Sequence, residues 1–448
     1  MDDIYAYIDA HAEEYIQALQ ALCRQPSIAA QGIGMEETAH MVLEMVRGVG
    51  AQAEQIPTGG YPVVYGELPG AGPRSLLIYD HYDVQPPEPL DLWDYPPFEA
   101  TLAEGRIWAR GVADNKGNLV ARLCAVDAWL KVRGHLPLTL KFVFEGEEEI
   151  GSPNLEAFAE AYHPRYAADG CIWEAGYKDS RGRLQVYAGC KGITYVELRA
   201  QGAARDLHSA NAAIVPNPAW RLVWALSTLK TPDERVAIQG FYDDVRPPTP
   251  RERELLADWE FDGPAYLENL GLAAFLRGAD TEQAKADLIF QPTCNIAGIQ
   301  SGYTGPGSKT VLPSQAFCKI DFRLVPDQSH RRVLRLLREH LDRHGFSDIQ
   351  VVDLHGEDPA RTDPDHPVVQ AVLRAARRVY TQPPVMLPSM AGTGPMHALC
   401  ARWGIPVVGA GVGHADSRNH APNENIYVQD YIDGIKHMAT VFQEFARE

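Results

Sequence analysis

A chain of 448 residues exceeds what one hydrophobic core normally organises, so two domains are expected. Hydrophobic residues at 45% and charged residues at 22% describe an ordinary globular chain, not a disordered, collagenous or coiled-coil one. The net charge of -18, from 41 basic and 59 acidic residues, argues against nucleic acid and anionic membrane surfaces as partners. The opening stretch MDDIYAYIDAHAEEYIQAL has no basic leader and reads as an amphipathic helix rather than a signal peptide. No run reaches the length of a membrane span. The seven cysteines are odd in number, widely spaced and without a C-x-x-C pair. That disfavours disulfides and a cysteine metal site, and a cytoplasmic protein is expected.

Strand and helix signals then alternate. SLLIYDHYDV is an apolar strand ending in polar residues. DNKGNLVARLCAVDAWLKVRG is a helix with Leu119, Leu123, Val126 and Leu130 at helical spacing and Gly134 at its end. LPLTLKFVF and GCIWEAG are short buried strands. The alternation predicts an α/β fold around a mixed, mostly parallel sheet sandwiched by helices. Beyond Lys191 the pattern changes. GITYVELRAQG alternates as a two-faced strand does, and NPAWRLVWALSTLK is a helix with Trp220, Trp224 and Leu226 on one side. A polar, Pro-rich stretch follows, then a strand, a helix and a strand at SQAFCKIDFRLV, SHRRVLRLLREHLDRHG and DIQVVDLHG. The helix VVQAVLRAARRVY and the strand GIPVVGAGV resume the first pattern. A discontinuous catalytic domain, 1–190 and 359–448, with an inserted α+β domain at 191–358, is therefore expected.

Ligands in open α/β sheets bind beyond the carboxyl ends of strands, and unusual residues collect there. His81 and Asp83 close one strand, Asp114 precedes the long helix, and Glu148 and Glu149 follow LPLTLKFVF. Glu174 ends GCIW, and His420 follows GIPVVGAGV. Singly, each has a bland reading: a bonded histidine, a helix cap at Asp114, a solvated acidic loop. Together they form a nitrogen and oxygen ligand set suited to zinc, or to manganese or cobalt in its place. The run FEGEEEIGS is the sharpest case, because carboxylates about 5 Å apart repel by roughly 0.8 kcal/mol even in water.

HYDVQP, RGVADNKG, EGEEEIGS, IWEAG and RNHAPNEN, in this order, resemble the two-metal exopeptidase family of carnosinase-type dipeptidases, glutamate carboxypeptidase, aminoacylase and succinyl-diaminopimelate desuccinylase. The resemblance covers nearly the whole chain and is nearer the dipeptidase-like members. It implies two zinc ions per subunit, one held by His81 and Glu174, the other by Glu149 and His420, with Asp114 bridging. It implies Asp83 as the residue orienting His81, and Glu148 as general base and acid. Glu145 and Glu147 are left as solvated or structural residues. The Asp114–Asn115 peptide resembles one that is cis in this family. The inserted domain implies a ferredoxin-like lid that dimerises, with His208 polarising the scissile carbonyl in the neighbouring subunit. Thr310, Arg323, Thr393, Gly394 and Asn217 match positions that bind a substrate's free carboxylate. Glu174, where dipeptidases usually carry Asp, and HSA in place of HSG depart from the dipeptidase pattern. The expected activity is hydrolysis of the amide bond of dipeptides or of a C-terminal residue by a zinc metallopeptidase. The alternatives are an N-acyl-amino-acid deacylase with the same machinery and a catalytically silent binding homologue.

Overall fold

Apolar residues on both sides of a strand demand a layer on each face, and that requirement organises the larger half of the protein. The computed structural model describes residues 1–174 and 176–448, so Ala175 of IWEAG lies outside the described residues. In chain order the strands that matter here are β1 (Gln52–Ile56), β2 (Val63–Leu68), β3 (Ser75–His81), β4 (Thr139–Glu145), β5 (Cys171–Trp173), β6 (Gln185–Tyr187), β7 (Gly192–Gln201), β8 (Asn295–Ser301), β9 (Gln315–Leu324), β10 (Gln350–Glu357), β11 (Val385–Leu387) and β12 (Val407–Gly409). The large sheet runs β1-β2-β4-β3-β5-β12-β6-β11. Strands β4, β3, β5 and β12 are mutually parallel, as are β6 and β11, while the β1, β2 and β6–β12 contacts are antiparallel.

Alternation splits each central strand between two cores. Leu76 and Ile78 of β3, with Phe142 and Phe144 of β4, face a layer built from α1 (Asp2–Ala10), α2 (Ala12–Arg24), α3 (Met35–Gly48) and α4 (Lys116–Arg133). Leu77, Tyr79 and Val143 face the other way, onto α5 (Leu155–Tyr166). Helix α4 ends at Gly134, whose left-handed backbone (φ 77°) returns its N–H to the Leu130 carbonyl. The amphipathic start of the chain is two helices rather than one, divided at His11.

The second sheet, β8-β9-β7-β10, is antiparallel throughout. Val196, Leu198 and Ala200 of β7 and Ile320, Phe322 and Leu324 of β9 share its covered face. They pack on Leu222 and Ala225 of α6 (Pro218–Leu226), and on Val333, Leu337 and Leu341 of a later helix. Trp220 and Trp224 do not join this core. They stack on each other in solvent, 58% and 54% exposed.

The Pro-rich stretch is not irregular. It holds α7 (Pro250–Asp258), α8 (Gly263–Leu270) and α9 (Thr281–Phe290), followed later by α10 (His330–Arg343). Proline stands at the first helical turn of α7 and α8, where its missing N–H costs nothing. Thr249 and Glu252 close α7 with a reciprocal capping box. Helix α7 then reaches the large sheet: Leu255 joins its core, and Glu252 pairs with Arg361. Helices α11 (Pro367–Val379) and α12 (Val428–Phe445) pack together and complete the first helical layer.

Candidate metal centre

Three parallel strands end at one edge of the large sheet, and each delivers an acid or a histidine there. His81 is the last residue of β3, fully buried. Its Nε2 lies 3.1 Å from Asp114 Oδ1 and 3.3 Å from Glu174 Oε2, just past β5. Its Nδ1 faces Asp83, 3.0 Å from the backbone oxygen and 3.3 Å from Oδ1. A hydrogen bond on the far nitrogen fixes ring orientation and leaves Nε2 to the site. Asp83 does more than this: its two carboxylate oxygens accept the backbone N–H groups of Glu148 (3.3 Å) and Glu149 (3.0 Å).

Those two N–H groups belong to a 3₁₀ turn, Glu148–Ile150, that follows β4. In an extended strand neighbours point to opposite faces. The tighter turn brings both side chains to the site, and Gly151 (φ 87°) supplies the left-handed residue that ends it. His420 reaches in from the other side: Nε2 lies 3.1 Å from Asp114 Oδ2 and 3.2 Å from Glu149 Oε2. Its loop is strained, with Arg418, His420 and Asn423 all at positive φ. For non-glycine residues that is uncommon and costs of order 1–3 kcal/mol each.

The charges shift one another. Burial drives the Glu148 carboxyl well above its usual range, and Glu174 adds to the effect. Burial likewise pushes Glu174 up to about 8 against the pull of His81. Burial would raise Asp114 too, but hydrogen bonds from His420 and His81 carry it below the ordinary carboxylate range. The bond to Asp114, then that to Glu149, pushes His420 up to about 10. His81 is also raised well above its usual value: burial opposes this, but Glu174, Asp114 and Asp83 outweigh it.

The residues fit a divalent cation. Among the described residues, Oε1 of Glu149 and Oε2 of Glu174 are buried and accept no hydrogen bond of good geometry, an unfavourable state that a metal ion would relieve. Ligand atoms of His81, Asp114 and Glu149 lie within 4.8 Å of one another, as do those of His81, Glu148 and Glu174. Glu148 is thus as close to the ligand atoms as the residues expected to bind metal. The Asp114–Asn115 peptide is cis.

Arg323 Nη1 donates to Thr393 Oγ1 at 2.6 Å. Thr393 and Gly394 line the same small cavity as Glu148. The other expected residues stand apart in the single chain. His208 and Thr310 are exposed and adjacent, where β-bridge pairing joins Leu207–His208 to Val311–Leu312. Asn217 caps α6 through the Ala219 N–H.

Several supporting residues carry no signal in the pattern of motifs. Glu424, fully buried, accepts N–H groups from Gly111, Ala113 and Asp114 and an ion pair from Arg110, and so holds the loop that bears Asp114. Its position inside RNHAPNEN was the available clue. Arg122 of α4 bonds Asp80 and the carbonyls of Tyr79, Trp173 and Ala410, tying β3 to β5 and to the loop after β12. Gln85 donates to Glu149 Oε2 at 2.9 Å. Glu145 and Glu147 are buried rather than solvated: Tyr79 and Ser152 donate to the first, Asn154 to the second.

Known proteins resemble this chain in sequence and fold. The chain is 29% identical to a Cys-Gly metallodipeptidase of Schizosaccharomyces pombe, over all of this chain and 98% of that protein. It is 28% identical to the human Beta-Ala-His dipeptidase, over all of this chain and 93% of the other. The crystal structure of an M20 family metallo-carboxypeptidase from Sulfolobus solfataricus superposes with a TM-score of 0.92 at 42% identity, covering 97% of this chain and all of that one. Residues 77–444 match the model of peptidase family M20/M25/M40, and the chain belongs to that family.

Proposed function

We propose that this protein is a dinuclear metallodipeptidase that hydrolyses the amide next to a free C-terminal carboxylate. The observation that carries this reading is one cavity shared by Glu148 and by Thr393, the partner of Arg323. A half-buried base and a carboxylate anchor thus border one small cavity. The names of two relatives, with Cys-Gly and Beta-Ala-His as substrates, support dipeptides. The metal would be held by His81 and Glu174, by Glu149 and His420, and by Asp114 between them. Zinc, or manganese or cobalt in its place, supplies Lewis acidity to the scissile carbonyl and lowers the pKa of a water.

The remaining work falls to the chain. Glu148, whose affinity for protons is raised by burial, takes the proton of the attacking water and delivers it to the leaving nitrogen. Asp83 holds both the His81 ring and the turn bearing Glu148. Arg323 and Thr393, with backbone at Gly394, grip the carboxylate. The test is a panel of dipeptides, longer peptides and N-acetyl amino acids, run with zinc and with manganese. Dipeptides should give the highest kcat/KM, and amidating their C-terminus should cost about a hundredfold or more. Turnover of N-acetyl amino acids without dipeptides would overturn the reading.

His208, Thr310 and Asn217 complete the site if supplied by a second copy. Strand β8 is an edge strand with most residues exposed. Ile296 and Ile299 on this strand, and Ile214, Trp220 and Trp224 elsewhere in the same part of the chain, present apolar side chains to solvent. Unpaired edges and exposed aromatic pairs are interface features. A two-fold dimer through β8 and α6 follows. Trp220→Glu with Trp224→Glu should give monomers by analytical ultracentrifugation and lose activity. Mixing His208→Ala with Glu148→Gln protein under conditions of subunit exchange should restore activity. A fully active monomer would refute the dimer.

A further inference from the structure

The second sheet places three side chains in a row across β9, β7 and β10: Arg323 opposite Ile193, and Ile193 opposite Glu357. Val196 and Leu198 of β7, and Phe322 and Leu324 of β9, point into the covered core. By alternation the row points the other way, toward Glu148. Adjacent strands lie about 4.8 Å apart, so Arg323 and Glu357 are separated by roughly 10 Å of backbone with one apolar residue between.

A cavity of about 150 Å³ lies over this row. Ile193, His355 and Glu357 form one wall; Gly151, Ser152 and Gly394 belong to the other, with Glu148 and Thr393 also lining it. Its position relative to a bound dipeptide follows from covalent geometry. The Cα of a C-terminal residue is bonded both to the scissile nitrogen and to the carboxylate carbon. If Glu148 serves the nitrogen and Arg323 with Thr393 the carboxylate, the side chain of that residue enters the space between them.

We propose that this cavity receives the side chain of the substrate's C-terminal residue, and that Glu357 selects residues with a cationic end on an apolar stem, lysine being the plainest case. This rests on the dipeptidase reading above. Ile193 supplies the apolar contact, and the size suits one side chain, not a second peptide unit. The Glu357 side chain has no hydrogen-bond or ion-pair partner among the described residues. The charges that act on it most are Glu145, Glu156 and Asp358, all acids. Burial, reinforced by these acids, pushes its carboxyl up to about 8, and a cation bound beside it would draw it back to the ionised form. Arg331 and Arg402 line a neighbouring cavity that Glu357 also borders, but neither pairs with it among the described residues. A cation is the complement to a half-buried carboxylate in such a field, and an anion is excluded from it.

The test compares Ala-Lys, Ala-norleucine and Ala-Glu, which differ at the side-chain end, with metal-loaded enzyme. Wild type should favour Ala-Lys over Ala-norleucine in kcat/KM by about tenfold or more, the scale of a charge-assisted hydrogen bond. Glu357→Gln should collapse that ratio and Glu357→Asp should retain part of it. Glu357→Lys should invert the order so that Ala-Glu exceeds Ala-Lys, which a merely damaged fold cannot do. The same order in wild type and Glu357→Lys, or no preference for Ala-Lys in wild type, overturns the proposal while leaving a dipeptidase. If wild type cleaves none of the three, the reading beneath it fails as well.

Discussion

Glu148→Gln is expected to lower kcat by about 10²- to 10⁴-fold, the usual worth of a general acid–base group, with metal content by mass spectrometry unchanged. The substitution is close in shape and keeps the turn that Asp83 holds through the backbone. It removes only the ability to carry a proton. The outcome is informative because distance alone does not separate the two roles: Glu148 lies as near the ligand atoms of His81 and Glu174 as a ligand would. Loss of metal along with activity would make Glu148 a ligand and leave the proton without a carrier.

Its neighbour should behave in the opposite way. Glu149→Ala should weaken metal binding by more than about a hundredfold, since removing groups that merely orient ligands already costs about 10- to 100-fold. The loss would be read by competition with a chelator, and excess zinc or manganese should recover part of the activity. Glu149 has one oxygen bonded by Gln85 and near His420, and another buried with no donor among the described residues. An enzyme that kept its metal affinity without Glu149 would remove this carboxylate from the site. The pair therefore tests one turn of chain twice: adjacent residues, with separable losses.

The acid-rich run that contains this turn shows how far sequence carries. FEGEEEIGS alone reads as a solvated acidic loop, and it marks a site only together with the acids and histidines at the other strand ends. Strand ends at His81, Glu149 and Glu174 could be placed because a buried parallel strand reads as a short apolar run and the parallel order sends those ends to one edge. What eluded the pattern was support. Glu145 and Glu147 look like solvent residues by type, and only burial against Tyr79, Ser152 and Asn154 reveals otherwise. Arg122 sits in a helix whose role seemed settled by its leucines, yet its four bonds are all long-range. Helices α7 to α9 lie in a stretch read only as polar and Pro-rich, although proline at a first turn starts α7 and α8. There the capping box Thr249–Glu252 was legible and informative.

The two histidines of the metal centre sit among acids that hold their protons in place: His420 is pushed up to about 10 and His81 is raised as well. Neither ring can donate a lone pair until it gives up that proton. Metal uptake is therefore an exchange, an ion entering as acid leaves, and its apparent affinity should climb as the solution becomes more alkaline. An acidic medium should release the metal, and a return to neutrality in its presence should reload the site.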